Sequence, residues 1–154
     1  MSTNYLPAGY PICAPYLIIT DAARALDFYA TAFGATERMR MQMPDGKVGH
    51  AEIEIAGGII MIADEFPQMG CRSPKTIGGS PVTIHLYVPD VDALTARAGA
   101  AGATLDQPPE NQFYGDRTAR VTDPFGHVWH FATHVEDVTP EEMERRSREK
   151  FGGG

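Results

Sequence analysis

Three of the chain's five histidines fall in one stretch, TDPFGHVWHFATH at 122–134: His127, His130 and His134. Imidazole is the side chain best suited to moving a proton near neutral pH, and it ligates borderline divalent metals. Read as a strand, however, the stretch alternates its side chains. His127 and His130 then face opposite ways and cannot grip one ion. His127 directly follows the Asp123-Pro124-Phe125-Gly126 turn and is expected at the surface. His134 lies beyond the strand in a polar tail and stays outside the site. His130 remains, either as a polar group touching a ligand, as part of a metal site, or as a core histidine with one ring nitrogen satisfied.

The other two histidines stand on separate strands. His85 lies two residues after Thr83 in VTIHLYV and shares its face, where it can meet His130. It reads equally as a buried strand histidine. His50 opens HAEIEIA with Glu52 and Glu54 on its own face and Ala51, Ile53 and Ile55 on the other. That alternation points His50 toward a polar side, either solvent or a cavity. His50, His85 and His130 together could form a non-standard histidine-rich metal site.

Further candidates surround them. Phe113-Tyr114-Gly115-Asp116-Arg117 is a loop with two aromatics and a charge pair. Tyr114 can stack on or hydrogen-bond a ligand, and Arg117 can pair with an anionic group; a plain hairpin loop is the alternative. Asp64 and Glu65 end a strand, as candidate bases or as ordinary end-of-strand charges. Met39, Met41 and Met43 alternate along one strand as a soft, adaptable wall of either core or cavity. Trp129 faces away from His130, which predicts core packing.

The elements that must position these residues occur twice. PYLII reads as a buried strand, and Asp21 caps a helix over AARALDFYATAF that Gly34 stops. ERMRMQM, the Pro44-Asp45-Gly46 turn, HAEIEIA, a Gly57-Gly58 turn and IIMIA complete a β-α-β-β-β order. The second half repeats it, with VTIHLYV, a helix opened by Asp90 and stopped by Gly102, then TLDQPP, TARVTD and HVWHFAT. Asp21 maps to Asp90, Gly34-Ala35-Thr36 to Gly102-Ala103-Thr104, and Gly58 to Gly126, always 68 or 69 residues on. A matched cap, stop and hairpin at one offset indicates duplicated modules. The expected organisation is a single domain over 1–154, with module one at about 12–64, a linker at 65–81, module two at 82–134 and a C-terminal helix at about 139–150. Thr139, Pro140 and Glu142 open that helix as cap, first helical residue and capping-box acid.

Composition narrows the classes. At 43% apolar residues the chain is globular, and it holds no run long enough to span a membrane. Its start, MSTNYLPAGYPICAPY, lacks the basic and apolar regions of a signal peptide, so a cytoplasmic protein is expected. Two cysteines make no disulfide framework. The net charge is −7, and the only cationic cluster, Arg145 to Lys150, is interleaved with acids, so neither a nucleic-acid nor a membrane partner is expected.

LDFYATAFGA after the first strand, and DPFG before an aromatic last strand, together with the doubled β-α-β-β-β order, resemble the vicinal-oxygen-chelate superfamily of glyoxalases, bleomycin-resistance proteins and dioxygenases. HAEIEIAGGIIMIADEFP and FYGDRTARVTDPFGHVWHFATH resemble its PhnB-like branch, which commonly carries an aromatic-Gly-x-Arg pattern where Tyr114 and Arg117 fall. The resemblance implies an α+β fold of two tandem βαβββ modules forming a curled, cup-like sheet around a cavity, and association as a homodimer. It also implies a divalent metal ion wherever four ligands are present on the first and last strands of the modules. Here those places hold Ala14 (with Tyr16 next on the same face), Met61 or Ile62, Thr83, and His130, so one good ligand stands among four, and a divalent metal ion is possible but no cofactor is certain. The first functional reading is a small-molecule-binding protein that sequesters an aromatic or cationic compound, with His50, Met61, Thr83, His85, Tyr114, Arg117 and His130 lining the cavity. The alternative is a metal-dependent enzyme of lyase, isomerase or dioxygenase type acting on a small oxygenated metabolite through a rearranged site of His130, His85 and His50. A scaffold with no small ligand is the third reading.

Overall fold

The computed structural model describes residues 4–152. The chain forms two compact units, one ending at Pro81 and the next beginning at Val82. Each is an α+β module built on one curled, four-stranded sheet that does not close.

In the first module β1 (Tyr16–Ile19) leads into α1 (Ala22–Phe33), then β2 (Thr36–Gln42), β3 (Val48–Ile55) and β4 (Gly58–Asp64). The sheet order is β1-β4-β3-β2, with β1 parallel to β4 and the other pairs antiparallel. A parallel pair needs a crossover, and α1 covers one sheet face through it. Leu26, Tyr29 and Phe33 recur at helical spacing, and with Ile19, Ile53 and Ile62 they form the core on that face. Asp21 caps α1 through Arg24 N–H at 3.3 Å, and Gly34 ends it at φ 68, a left-handed conformation that favours glycine. Register shifts in β2 beside β3 bend the outer strand, and β2 is exposed along its length.

The second module repeats this with β5 (Thr83–Tyr87), α3 (Val91–Ala101), β6 (Thr104–Asn111), β7 (Asp116–Thr122) and β8 (Val128–His134) in the order β5-β8-β7-β6. Asp90 and Gly102 cap α3 as Asp21 and Gly34 cap α1. Between the sheets, 65–81 carries a 3-10 turn at Pro67–Met69 and the short α2 (Pro74–Ile77), capped by Ser73. The last helix, α4 (Pro140–Phe151), starts at the Thr139 cap, and Arg146 ties it to Glu136 and to the Phe113 carbonyl.

Two buried aspartates hold the turns. Both carboxylate oxygens of Asp64 are engaged, one by Ala22 N–H at 2.8 Å and the other by Val48 N–H at 2.7 Å. The helix start and the strand start are thereby fixed to β4. In module two Thr133 Oγ1 accepts Val91 N–H at the equivalent place. Asp123 accepts Phe125 N–H, His127 N–H and the Trp129 indole N–H at 2.9–3.0 Å. This corrects the expectation of an exposed His127. The carboxylate draws the turn onto the core, and His127 is only 8% exposed. Trp129 is fully buried, as its face predicts.

Removing the Asp64 carboxylate would strand two buried N–H groups. Asp64→Ala is expected to lower unfolding free energy by about 2–6 kcal/mol in urea titrations, since each of the two orphaned buried donors costs roughly 1–3 kcal/mol. A loss below about 0.5 kcal/mol would mean that water replaces the carboxylate at both donors.

Candidate functional site

The register of the first sheet lines up its polar face. Tyr16 lies opposite Met61 on β4, and Met61 lies opposite Glu52 on β3. One pair along, Ile18 faces Ala63, and His50 faces Met41 on β2. Side-chain alternation sends these residues away from the core. Register also selects Met61 over Ile62 as the residue beside Tyr16 on this face, because Ile62 is fully buried on the other.

A hydrogen-bonded chain runs across this face. Tyr16 Oη is 2.7 Å from His50 Nδ1, His50 Nε2 is 3.2 Å from Glu52 Oε1, and the Tyr10 hydroxyl donates to both Glu52 oxygens at 2.9–3.0 Å. Arg38 sits 3.9 Å from Glu52 and its guanidinium covers the Tyr10 ring. Glu52 is only 3% exposed. Burial pushes its carboxyl pKa up, but the hydrogen bonds from His50 and Tyr10 and the neighbouring positive charges outweigh burial and hold it below the ordinary range. An ionised Glu52 only accepts, so Nε2 carries a proton, and in the neutral ring Nδ1 then accepts from the Tyr16 hydroxyl. Burial, with Cys71 and Glu52 nearby, raises the Tyr16 pKa, so its hydroxyl stays protonated.

Beside Tyr16 opens a cavity of about 420 Å³ within this module. Ile18, Met41, Met43, Phe66 and Met69 give it almost entirely apolar walls. Gly49 lines it as well, and a Cβ there would come within 2.8 Å of Met43 Sδ. The missing side chain lets the Met43 thioether fold inward. Asp64 also borders the space, yet both its oxygens are taken, and Glu65 is bound by Ser73 and Thr76. Neither carboxylate stands free as a base.

In the second module His85 lies opposite His130 on the parallel pair, 69 residues on from Tyr16 and Met61, and Arg120 takes the place of Glu52. The two rings meet at Nδ1, 2.8 Å apart, so one donates and the other accepts. Burial lowers the His130 pKa, and the charges of His85 and Arg120 lower it further. His134 is the opposite case. Nδ1–H donates to Asp116 at 2.7 Å and Nε2–H to Asp137 at 2.8 Å, and the two hydrogen bonds raise its pKa. Tyr87 completes the cluster by donating to Asp116. Thr83 is exposed opposite Val128, Tyr114 stacks edge-on against Phe113, and Arg117 is forked onto Asp92 at 2.6 and 2.8 Å, with Asn111 at 3.1 Å.

These surroundings do not fit a divalent cation. His85 and His130 supply two nitrogens that bond to each other, with the cationic Arg120 opposite His130. His50 spends both nitrogens on Tyr16 and Glu52. Among the described residues no three His, Cys, Asp or Glu side chains converge as a metal site.

Sequence reasoning singled out Met41 and Met43, which line the cavity, and His50 and Met61, which share the face but do not border the cavity; it did not single out Tyr10, Phe66, Met69 or Cys71. The spacing of Glu52 two residues after His50 was a readable signal. No local pattern brings Tyr10 or the 65–81 stretch to this face.

The family model of the Glyoxalase/Bleomycin resistance protein/Dioxygenase superfamily matches residues 12–131, and the chain belongs to that superfamily. An uncharacterized protein of Mycobacterium tuberculosis strain H37Rv is 47% identical over 137 residues, covering 87% of this chain and 81% of its own length. An uncharacterized protein of Arabidopsis thaliana is 32% identical over 127 residues, 78% of this chain and 76% of its own. Among solved structures, TioX from Micromonospora sp. ML1 superposes with a TM-score of 0.62 at 31% identity, over 79% of this chain and 97% of TioX. An Arabidopsis thaliana gene product does so at 0.65 and 30%, over 80% and 98%.

The two histidines should titrate on opposite sides of the ordinary value near 6.5. In proton NMR, His130 is expected to take up its proton below that pH and His134 to hold its own above it. The stability owed to neutral His130 is present above pH ~6.5 and is lost as pH falls, because the unfolded chain binds a proton that the folded chain refuses. Equal midpoints for the two rings would contradict both assigned environments.

Proposed function

We propose that the protein is a small-molecule-binding protein of the glyoxalase/bleomycin-resistance type that sequesters an aromatic compound in the cavity of its first module. The methionine-lined cavity carries this reading. Its volume of about 420 Å³ falls in the range of small-molecule sites, toward the end suited to one or two rings. Thioethers make favourable contacts with aromatic rings and adapt to irregular shapes. A cationic ligand has less support, because the Asp64 carboxylate at the cavity is already bound by two backbone N–H groups.

A metal-dependent enzyme also has less support, since Arg120 lies against the His85–His130 pair. The reading includes a cytoplasmic homodimer of the PhnB-like branch. Sequence motifs support the branch, and the exposed outer strand β2 with its half-exposed Met41 supports association.

A thermal-shift screen of one- and two-ring aromatics, 2-naphthol among them, tests the binding. A ligand at a hundred times its Kd stabilises the folded state by about 2.7 kcal/mol, enough to raise the melting temperature by several degrees. Met41→Glu places a charge in the wall at a position that is 52% exposed, so it should remove the response while leaving the unliganded protein folded. A panel that never raises the melting temperature, or an undiminished response in Met41→Glu, would count against the cavity as the binding site.

A further inference from the structure

The Tyr16–His50–Glu52 chain ends at the cavity wall, and its hydrogen-bond polarity restricts what can bind there. Glu52 is an acceptor that already receives Tyr10 and His50. Neutral His50, with its proton on Nε2, offers a bare Nδ1 to Tyr16, and the single Tyr16 proton points at that nitrogen. Tyr16 lines the cavity, and what its hydroxyl has left for a ligand is oxygen lone pairs. A ligand group meeting them must be a donor. Elsewhere the wall supplies little polar recognition: each Asp64 oxygen already accepts a backbone N–H, and the Cys71 thiol donates to the Met69 carbonyl at 3.9 Å. The complement of this surface is an aromatic body with one hydroxyl.

We propose that Tyr16, His50 and Glu52 form an acid–base site that takes a phenol into the methionine-lined cavity and holds it as its phenolate, with the proton kept on His50. The proposal rests on the sequestration reading and names its ligand class. The step balances within the chain. The phenol O–H bond breaks and its proton forms a bond to Tyr16 Oη, while the original Tyr16 proton moves to His50 Nδ1. No electrons leave the site. The product is a phenolate accepting a hydrogen bond from Tyr16, and an imidazolium that donates to Tyr16 Oη and to the Glu52 carboxylate.

The surrounding groups favour that end state. Glu52 lies against the new positive charge in a buried setting, where an ion pair is stronger than in water. Tyr10 and Arg38 stand behind Glu52 and keep it ionised, and Cys71 and the N–H-bound Asp64 are the titratable groups that share the cavity with Tyr16. Tyr16 resists ionisation itself, so it passes a proton without becoming the resting anion. His50 and Glu52 act through Tyr16 as positioning and charge-storing groups.

The test is an absorbance titration of 4-nitrophenol, whose phenolate is yellow, bound to the full-length protein. The half-ionisation pH of bound 4-nitrophenol is expected to lie at least about one unit below that of the free compound, the size of shift a nearby opposite charge produces. Tyr16→Phe keeps the ring of a half-exposed residue, so it should fold; it should lose the shift and bind about tenfold more weakly, the loss of one charge-assisted hydrogen bond. Glu52→Gln should reduce the shift, and His50→Gln should abolish it. Bound 4-nitrophenol titrating like the free compound, or a Tyr16→Phe variant shifting like the parent, overturns the proposal. So does an absence of 4-nitrophenol binding at millimolar concentration. Stabilisation by 2-naphthol alongside an unshifted 4-nitrophenol would leave the sequestration reading standing and remove only the acid–base site, whereas a failure of every aromatic would remove both.

Discussion

β1 runs parallel to β4 with Tyr16 opposite Met61, and β5 runs parallel to β8 with His85 opposite His130. Neither register can slip by one residue without turning Leu17 and Ile19, or Ile84, out of the core, because side chains alternate across the sheet. The helix crossover that a parallel pair requires then covers the core face, and the opposite face is left for polar and adaptable groups. Asp64 secures this arrangement in module one, and Thr133 in module two, by catching the first backbone N–H of the crossover helix. The same constraint therefore stacks the core and sets the order of residues on the functional face.

Duplication has kept that frame and changed its chemistry. The positions held by Tyr16, Met61 and Glu52 in the first module are held by His85, His130 and Arg120 in the second. An acid at the third position gives the first module a chain that can store a positive charge on His50. A base there adds to burial in the second module and lowers the His130 pKa further. Electrostatics at one register position thus separates two faces of the same construction.

Most of the frame was legible in the sequence because it is local. Asp21 and Asp90 before each helix, Gly34 and Gly102 after it, and the period-two pattern of HAEIEIA are signals carried by a few neighbouring residues. The functional face was legible in part. His50, Glu52 and the Met39–Met43 alternation can be read from their own strands. Tyr10 and Phe66, by contrast, reach the face through loops whose paths depend on tertiary packing. His127 was misjudged for the same reason: adjacency to a turn suggests exposure, but the Asp123 carboxylate folds that turn inward.

Ligand capture by the first module is tested most directly by NMR of the protein labelled with ¹³C at its methionine methyl groups, titrated with 2-naphthol. The methyls of Met41, Met43 and Met69 line the cavity, whereas Met143 lies on α4 in the second module. Saturable chemical-shift changes at those three, with Met143 unmoved, are expected. Changes at Met143 alone, or none at any methionine, would contradict a binding site in this cavity.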